Sequence, residues 1–305
     1  ELKKAQMLKL YEEIELPLCP VLYSMEKAGV AIDKKQLEEF GDMLSVRISE
    51  CEQVIFSYSD APFNINSTKQ LGELLFVKLG LPPVKKTKTG YSTNADVLEK
   101  LKSKHPIVPA IMDYRMLTKL KSTYADGLLK VIDEDGRIRT TFQNMVTATG
   151  RLSSTEPNLQ NIPVRTDLGS EIRKMFVPKK GHVLVDADYS QIELRVLAHI
   201  ADDRAMQEAF RSGMDIHTVT ASQVFGIAPE DVTALQRRNA KAVNFGIVYG
   251  ISEFSLAEDI GVSRYEAKEY IESYLANYHG VRDYMKQVIA DAREHGFTQT
   301  IYGRR

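Results

Sequence analysis

Two aspartates, separated by a single residue, follow a short apolar run near the middle of the chain. Asp186 and Asp188 come directly after residues 183–185, Val-Leu-Val. This run is typical of a buried strand, and alternate residues of an extended chain project from one face, about 7 Å apart. Carboxylates so placed can hold Mg²⁺, which takes one or two protein carboxylates and completes its shell with water and phosphate oxygens. The alternative is turn chemistry, because Asp is common where a strand gives way to a helix.

The residues after the two aspartates have helical spacing. Ile192, Val196 and Ile200 recur every four residues, which predicts a helix beginning near Ser190. Ser190 and Glu193 fit the S-x-x-E capping box that opens many helices. A reciprocal cap of this kind would explain Glu193 without any functional role.

A second chemical pattern combines cations with aromatic rings. Arg237, Lys241, Phe245 and Tyr249 stand four residues apart, so on a helix each is rotated about 40° and displaced about 6 Å from the last. This stripe can bind a nucleotide, with its phosphates near the cations and its base stacked on a ring. The alternative is an amphipathic helix whose aromatic residues face a core. A separate set of apolar residues already provides such a face: Ala242, Val243, Ile247 and Val248.

Residues 147–165 contain many hydrogen-bonding side chains and little apolar periodicity. Arg151, Asn158 and Gln160 can donate to minor-groove acceptors, which differ little between base pairs. Arg165 offers a guanidinium fork suited to phosphate. The alternative is a structural loop whose polar groups satisfy one another.

A lysine-rich stretch precedes this segment. Lys85, Lys86 and Lys88 lie in a polar loop between predicted helices, where they can hold a phosphate backbone without reading its sequence. A solvated surface loop would have the same composition.

The composition limits the class of protein. The chain has 305 residues and a net charge of −1, so any basic surface must be local, and its length suits two or three domains. Its two cysteines form no metal-binding spacing and no disulfide framework, which favours a reducing compartment. It has no apolar run long enough for a membrane span and no signal-peptide pattern. We therefore expect a cytoplasmic protein with no membrane partner.

Three segments resemble the signature motifs of the family A DNA polymerases. They are residues 147–165, TATGRLSSTEPNLQNIPVR, residues 188–195, DYSQIELR, and residues 237–250, RRNAKAVNFGIVYG. The segments occur in the family's order, and the resemblance covers nearly the whole chain. It implies an α+β, mostly helical fold with the right-hand architecture of palm, thumb and fingers, without the C-terminal part of the palm.

The resemblance also implies how the chain is divided. The expected parts are an N-terminal palm segment at 1–32, a thumb at 33–132, a palm region at 133–195, and fingers at 196–305 with a nucleotide-binding helix at 233–249.

The family's metal and nucleotide residues map onto the aspartate and stripe segments. Asp188 matches the metal-binding aspartate, and the backbone carbonyl of Tyr189 is expected near the same metal. Glu193 is expected beneath the sugar, where it excludes a 2′-hydroxyl. Phe245 is expected to face the sugar and base, and Tyr249 to pack beside Glu193 near the template. The incoming triphosphate is expected to contact Arg237, Lys241 and His217.

The remaining family roles concern DNA and phosphate. Arg151 is expected to contact the primer-terminal base pair, and Arg165 to lie on the phosphate side of the nucleotide. The role of Asp186 is left open. The residues expected to contact DNA are Arg151, Asn158, Gln160, Lys85, Lys86 and Lys88.

The activity implied by the resemblance is template-directed addition of deoxynucleotides to a primer 3′-hydroxyl, in DNA replication and repair. The implied partners are primer-template DNA, deoxynucleoside triphosphates and two Mg²⁺ ions, acting with a monomeric protein. Two metal ions would activate the 3′-hydroxyl and neutralise charge on the phosphorus and the leaving pyrophosphate. The family has a second catalytic aspartate in a His-Asp motif, yet none of the six histidines here precedes Asp. We therefore expect negligible polymerase activity from this chain alone.

Two other functions stay open at this point. A single-subunit RNA polymerase shares the general plan of motifs, although Glu193 and the segment around Arg151 are typical of a DNA polymerase. A non-catalytic DNA-binding module would agree with the missing aspartate. Comparing deoxynucleotide with ribonucleotide use, after the missing part is restored, tests the first. In the complete enzyme, Asp188→Ala should abolish activity and spare DNA binding, which tests the second.

Overall fold

The computed structural model describes residues 1–87, 90–164 and 166–305, and these residues are mostly helical. Two compact units are present: a carboxy-terminal unit, Glu1–Glu12 with Asp186–Arg305, and an amino-terminal unit, Glu13–Val185. In chain order the α-helices are α1 (Leu8–Leu10), α2 (Leu16–Ala28), α3 (Lys34–Phe56), α4 (Thr68–Gly72), α5 (Ala95–Leu101), α6 (Ile107–Leu120), α7 (Asp126–Leu129), α8 (Asp167–Lys174), α9 (Ile192–Ile200), α10 (Arg204–Arg211), α11 (Ile216–Phe225), α12 (Ala234–Val248), α13 (Glu253–Ile260), α14 (Arg264–Asn277) and α15 (His279–His295).

Short π-helical segments extend three of these helices, and the strands are brief. The π-helical segments are Tyr11–Glu15, Glu73–Lys78 and Lys121–Ala125, and a 3₁₀ turn covers Pro229–Asp231. The strands are β1 (Val30–Ile32), β2 (Lys86–Thr87), β3 (Gly90–Tyr91), β4 (Arg137–Ile138), β5 (Thr141–Gln143), β6 (Ser153–Thr155) and β7 (Phe176–Val177).

The amino-terminal unit is built on the pair of long helices α3 and α6. Asp33 caps α3, because its Oδ1 accepts the backbone N–H of Gln36 at 3.0 Å. Leu37 and Leu44 of α3 are fully buried together with Leu117 of α6. A second buried cluster lies farther along the same helices, around Ile55 and Ile111. The apolar residues of α3 and α6 therefore pack in shared buried clusters, as their helical spacing favours.

A three-stranded antiparallel sheet closes the same unit. β1 lies between β4 and β7, with Ala31 opposite both Arg137 and Val177. Gly29 turns the chain into β1 with a φ of +58°, and a Cβ there would lie 2.7 Å from the carbonyl oxygen of Ile138. Only glycine fits this turn.

Two prolines lie within the first long helix without ending it. α2 includes Pro17 in its first turn and Pro20 in its interior, and a π-helical segment, Tyr11–Glu15, precedes it. Pro17 lies in the first turn of α2, where proline is common, whereas Pro20 lies in its interior, and neither ends the helix before Ala28.

The predicted buried strand at residues 183–185 is wrong. Val183 and Val185 are 79% and 82% exposed, and residues 182–189 belong to no helix or strand. A β-strand needs backbone hydrogen bonds from a neighbouring strand, and within the described residues none pairs with this segment. An apolar run reports only that a segment could be buried, not that its partner is present.

The carboxy-terminal unit packs α9 to α15 around a single apolar core. Leu194, Ile216, Val243, Leu256 and Tyr274 from five different helices are buried in it. None of the described helices, in this unit or the other, is long and apolar enough to cross a membrane.

Asp203 joins two helices of this unit. Its Oδ1 accepts the backbone N–H of Met206 at 3.0 Å and so caps α10, while its Oδ2 accepts the N–H groups of Gly280 and Val281 at 2.8 and 3.2 Å. The side chain is only 3% exposed. One buried carboxylate therefore satisfies the amino ends of both α10 and α15.

Candidate functional site

The stripe of cations and aromatic rings lies on α12. Thr233 and Gln236 form a reciprocal capping box at its start, and the helix ends at Val248 with Tyr249 as its C-cap. The stripe lies apart from the buried face of this helix: Arg237, Lys241 and Tyr249 are exposed and Phe245 is half-buried. The predicted helix is confirmed, and its core contacts come from Asn239, Ala240, Val243, Asn244, Gly246 and Ile247.

The two cations of the stripe have different surroundings. The ammonium of Lys241 lies 5.9 Å from the centre of the Phe245 ring. Arg237 donates from Nε and Nη2 to the two carboxylate oxygens of Asp215, at 3.0 and 2.8 Å. The guanidinium beside Asp215 lowers the pKa of that carboxyl to about 2. The guanidinium of Arg237 is thus held by an ionised carboxylate, whereas the ammonium of Lys241 lies near an aromatic ring.

Glu193 is not part of a capping box. α9 begins at Ile192, and its N-cap is Gln191, whose φ of +53° is left-handed and whose side chain makes no capping hydrogen bond. The Ser190 pattern therefore gave a wrong prediction, because the left-handed residue after Ser190 breaks the geometry that a reciprocal cap requires. The carboxylate instead accepts the hydroxyl of Tyr249 at 2.8 Å.

Glu193 and Tyr249 border an apolar groove of about 650 Å³ between α9, the end of α12 and α15. Val196, Ile247 and Val288 line it, so the polar pair stands at the edge of an apolar surface. A planar ring or sugar can lie on such a surface while its polar groups meet the carboxylate.

His217 lies behind the stripe in a buried polar network. Its Nδ1 is 3.1 Å from Nδ2 of Asn244, and Asn244 also hydrogen-bonds to Thr220. The Thr220 hydroxyl is 3.2 Å from that of Tyr278. Burial lowers the pKa of His217, whose ring centre is 5.8 Å from that of Phe245. This shift favours the neutral form of the ring, and the residue is only 3% exposed, so a ligand could reach only the edge of the ring.

The aspartate segment lies on the surface of the same unit. Asp186, Asp188 and Tyr189 are exposed, and within the described residues no group of three or more His, Cys, Asp or Glu side chains surrounds a common point. Carboxylate and carbonyl oxygens are the hard donors that Mg²⁺ prefers, and it needs only one or two protein carboxylates. The donor chemistry at Asp188 and Tyr189 therefore fits this ion.

The polar residues of the segment 147–165 belong to the amino-terminal unit. Arg151 is exposed, as are Asn158 and Gln160. Asn158 Oδ1 accepts the backbone N–H of Gln160 at 3.0 Å, and the Gln160 side chain donates to the carbonyl of Leu152 at 3.1 Å. These two side-chain amides form hydrogen bonds within the loop, as expected for a structural loop whose polar groups satisfy one another. Arg165 lies outside the described residues.

Part of the lysine-rich loop of the same unit forms two short antiparallel strands. β2 pairs with β3, with Lys86 opposite Tyr91, and both Lys85 and Lys86 are exposed. Lys88 lies outside the described residues. The exposed lysines agree with either a phosphate contact or a solvated loop.

Two residues of the site were not predicted from the sequence. Asp215 lies in the segment Gly-Met-Asp-Ile-His-Thr, and its position two residues before His217 with Thr218 after it is a sequence signal for a helix cap. Asn244 is a polar residue on the buried face of α12, which indicates a buried hydrogen-bond network. Neither pattern reveals its partner, because Arg237 and His217 come from elsewhere in the chain.

Comparison with known proteins yields consistent matches. A sequence model described as DNA polymerase family A matches residues 34–305. The chain is 54% identical over 297 residues to DNA polymerase I of Caldicellulosiruptor bescii, and 52% identical over 307 residues to DNA polymerase I of Bacillus subtilis. These alignments cover 97% and 100% of the chain and 35% of each relative.

A solved structure shows the same fold. The chain superposes with a TM-score of 0.90 and 43% identity on the POL domain of Pol1 from M. smegmatis, in complex with DNA primer-template and dNTP. The match covers the whole chain and 54% of that protein's chain. The mostly helical α+β fold expected from the sequence is confirmed. Because the family match spans most of its length, the chain belongs to DNA polymerase family A.

Proposed function

We propose that the chain is the nucleotide-binding part of a DNA-directed DNA polymerase that adds deoxynucleotides to a primer 3′-hydroxyl in DNA replication and repair. The observation that carries this proposal is the exposed stripe on α12, with its two cations, beside a carboxylate that a stripe residue holds. The named partners of the M. smegmatis relative, a primer-template and a dNTP, support it. The chain spans about a third of its curated relatives, so the activity is proposed for the longer polymerase.

The stripe residues would bind and orient the nucleotide. Arg237 and Lys241 pair with phosphate oxygens, and the ring of Phe245 lies against the sugar and base. His217, neutral at pH 7, offers a ring N–H rather than a charge. Each of these contacts places the α-phosphorus for attack without taking part in bond making.

Glu193 would select the sugar. Its carboxylate is held by the Tyr249 hydroxyl and would occupy the space that a 2′-hydroxyl needs. A held carboxylate cannot move aside at low cost, so deoxyribonucleotides are preferred. This preference also separates the proposal from a single-subunit RNA polymerase.

Asp188 and the carbonyl of Tyr189 would hold Mg²⁺, with two ions in the longer enzyme. When bound, the metal supplies charge neutralisation at the transferred phosphoryl group and a more acidic 3′-hydroxyl. These 305 residues contain no His-Asp dipeptide that could contribute the family's second aspartate. We therefore propose that they bind nucleotide but do not extend a primer alone.

The other unit would contact DNA. Arg151, with Asn158, Gln160, Lys85 and Lys86, provides donors for the duplex, and the thumb, palm and fingers follow the bounds expected from the family. We also propose that Arg165 lies on the phosphate side of the nucleotide and that Lys88 contacts DNA. The protein would act as a monomer in the cytoplasm.

Equilibrium binding of a deoxynucleoside triphosphate to the 305-residue chain tests this proposal. Lys241→Ala should weaken binding about tenfold or more, because it removes a phosphate cation. Arg238→Ala, one residue from Arg237 on the same helix, is the matched control and should leave binding nearly unchanged. Equal effects of the two variants would show that binding follows overall charge and would contradict the proposed site.

A further inference from the structure

The carboxylate of Asp215 accepts hydrogen bonds from only one edge of the Arg237 guanidinium. Nε and Nη2 donate to it at 3.0 and 2.8 Å. A guanidinium has five N–H donors, so both hydrogens of Nη1 and the second hydrogen of Nη2 are not used by this carboxylate. Because the group is planar, fixing one edge also fixes the direction of the other.

Asp215 is itself held in place. It is the N-cap of α11, and its Oδ1 accepts the backbone N–H and the hydroxyl of Thr218, at 2.8 and 3.0 Å. The carboxylate cannot rotate away from Arg237 without losing this cap. The side chains of Arg237 and Asp215 are 46% and 35% exposed, so the pair lies at the surface where a ligand can reach it.

An arginine at this exposure would otherwise sample many rotamers. Binding an anion then includes the entropic cost of ordering a long side chain, which a fixed partner removes in advance. We propose that Asp215 is a positioning residue, which orients Arg237 so that its remaining N–H donors face the triphosphate. This inference rests on the proposed function of α12 as the nucleotide-binding helix.

A carboxylate near a triphosphate also repels it, so the two effects of Asp215 have opposite signs. If orientation dominates, loss of the carboxylate weakens binding, and if repulsion dominates, the same loss strengthens it. Asp215→Asn separates them, because Asn is as good an N-cap as Asp and keeps α11 intact while it removes the charge.

The experiment measures dissociation constants of dATP and of inorganic triphosphate for the 305-residue chain. Asp215→Asn should weaken both about tenfold, a rough value for the cost of ordering one long side chain. Asp231→Asn, an exposed carboxylate just before α12, is the matched control and should not weaken binding. Unchanged or tighter binding by Asp215→Asn would overturn the inference.

A double-mutant cycle tests whether Asp215 acts through Arg237. Arg237→Ala should weaken binding, and adding Asp215→Asn to it should change the dissociation constant by less than about twofold. An equal effect of Asp215→Asn with and without Arg237 would overturn the inference. The ¹⁵N–¹H signal of the Arg237 Nε, assigned by its loss in Arg237→Lys, should be sharp in the wild type and broadened in Asp215→Asn.

The same measurements distinguish failure of the inference from failure of the proposed function. If neither Arg237→Ala nor Lys241→Ala weakens binding, α12 is not the triphosphate site and both are refuted. If those two variants weaken binding but Asp215→Asn does not, only the positioning role is refuted.

Discussion

The hydroxyl of Tyr249 donates a hydrogen bond of 2.8 Å to the carboxylate of Glu193, across 56 residues of sequence. The bond joins the C-cap of α12 to the first turn of α9. Glu193 follows Asp188 by only five residues, so the aspartate segment leads directly into α9, whose first turn contains Glu193. The contact therefore joins the end of α12 to the helix that follows the aspartate segment.

The contact predicts a graded effect on sugar selection in the longer polymerase. Glu193→Ala should strongly increase ribonucleotide incorporation relative to deoxynucleotide, because the carboxylate that excludes the 2′-hydroxyl is gone. Tyr249→Phe should have the same effect to a smaller extent, since the carboxylate remains but is no longer held by this hydroxyl. Single-nucleotide incorporation with matched dNTP and rNTP measures both, and unchanged selectivity in Glu193→Ala would contradict the assigned role.

We expect Phe245 to affect a second form of sugar selectivity, the discrimination against nucleotides that lack a 3′-hydroxyl. Its ring has no hydroxyl, so a nucleotide that lacks its own 3′-hydroxyl cannot have that polar group replaced by this side chain. Phe245→Tyr supplies such a hydroxyl and should reduce discrimination against dideoxynucleotides, by about tenfold or more. Competition between dNTP and ddNTP in primer extension measures the ratio. An unchanged ratio of dNTP to ddNTP incorporation in Phe245→Tyr would show that this ring does not face the 3′ position of the sugar.

The double cap at Asp203 predicts a large loss of stability on truncation. Asp203→Ala leaves three backbone N–H groups of α10 and α15 without their acceptor, and should reduce the free energy of unfolding by about 3 kcal/mol. Urea denaturation followed by far-ultraviolet circular dichroism measures it. Asp33→Ala is the control, because that aspartate caps only α3, and it should cost clearly less. Equal losses would mean that the bonds to α15 contribute nothing.

We expect the free energy of unfolding to depend on pH through the buried ring of His217. Burial holds the pKa of its folded form below the ordinary value of 6.5, although Asp215 opposes this shift while Arg237 and Lys241 add to it. Below pH 6.5 the unfolded chain binds a proton that the folded ring does not, so stability falls as the pH is lowered. His217→Gln removes this contribution and should lose less stability between pH 7.5 and pH 5.5. Parallel losses in the two proteins would contradict a neutral, buried ring.

The sequence predicted the helix α12 and its exposed stripe because local periodicity alone separates that stripe from the apolar face. It failed at Val183 and Val185, since an apolar run does not reveal whether a pairing strand is present. It failed also at Ser190, where the left-handed Gln191 disrupts a pattern that matches a capping box letter by letter.

The partners of the site residues could not be predicted for a related reason. Asp215 lies 22 residues from Arg237, and Asn244 lies 27 from His217, and the single sequence has no signal that links such distant pairs. Only the packing of α11 against α12 brings them together. The residues of the stripe could thus be recognised in the sequence, whereas the residues that hold them in place required the fold.

The most direct test of the account is single-nucleotide incorporation by the longer polymerase with Asp188→Asn. This change keeps the size of the side chain but removes the charged metal ligand, so we expect incorporation to fall about a thousandfold or more while the dissociation constant for primer-template DNA is unchanged. Asp202→Asn, another carboxylate of the same unit, is the control and should retain normal activity. Incorporation by Asp188→Asn within about tenfold of the wild type would contradict the proposed site.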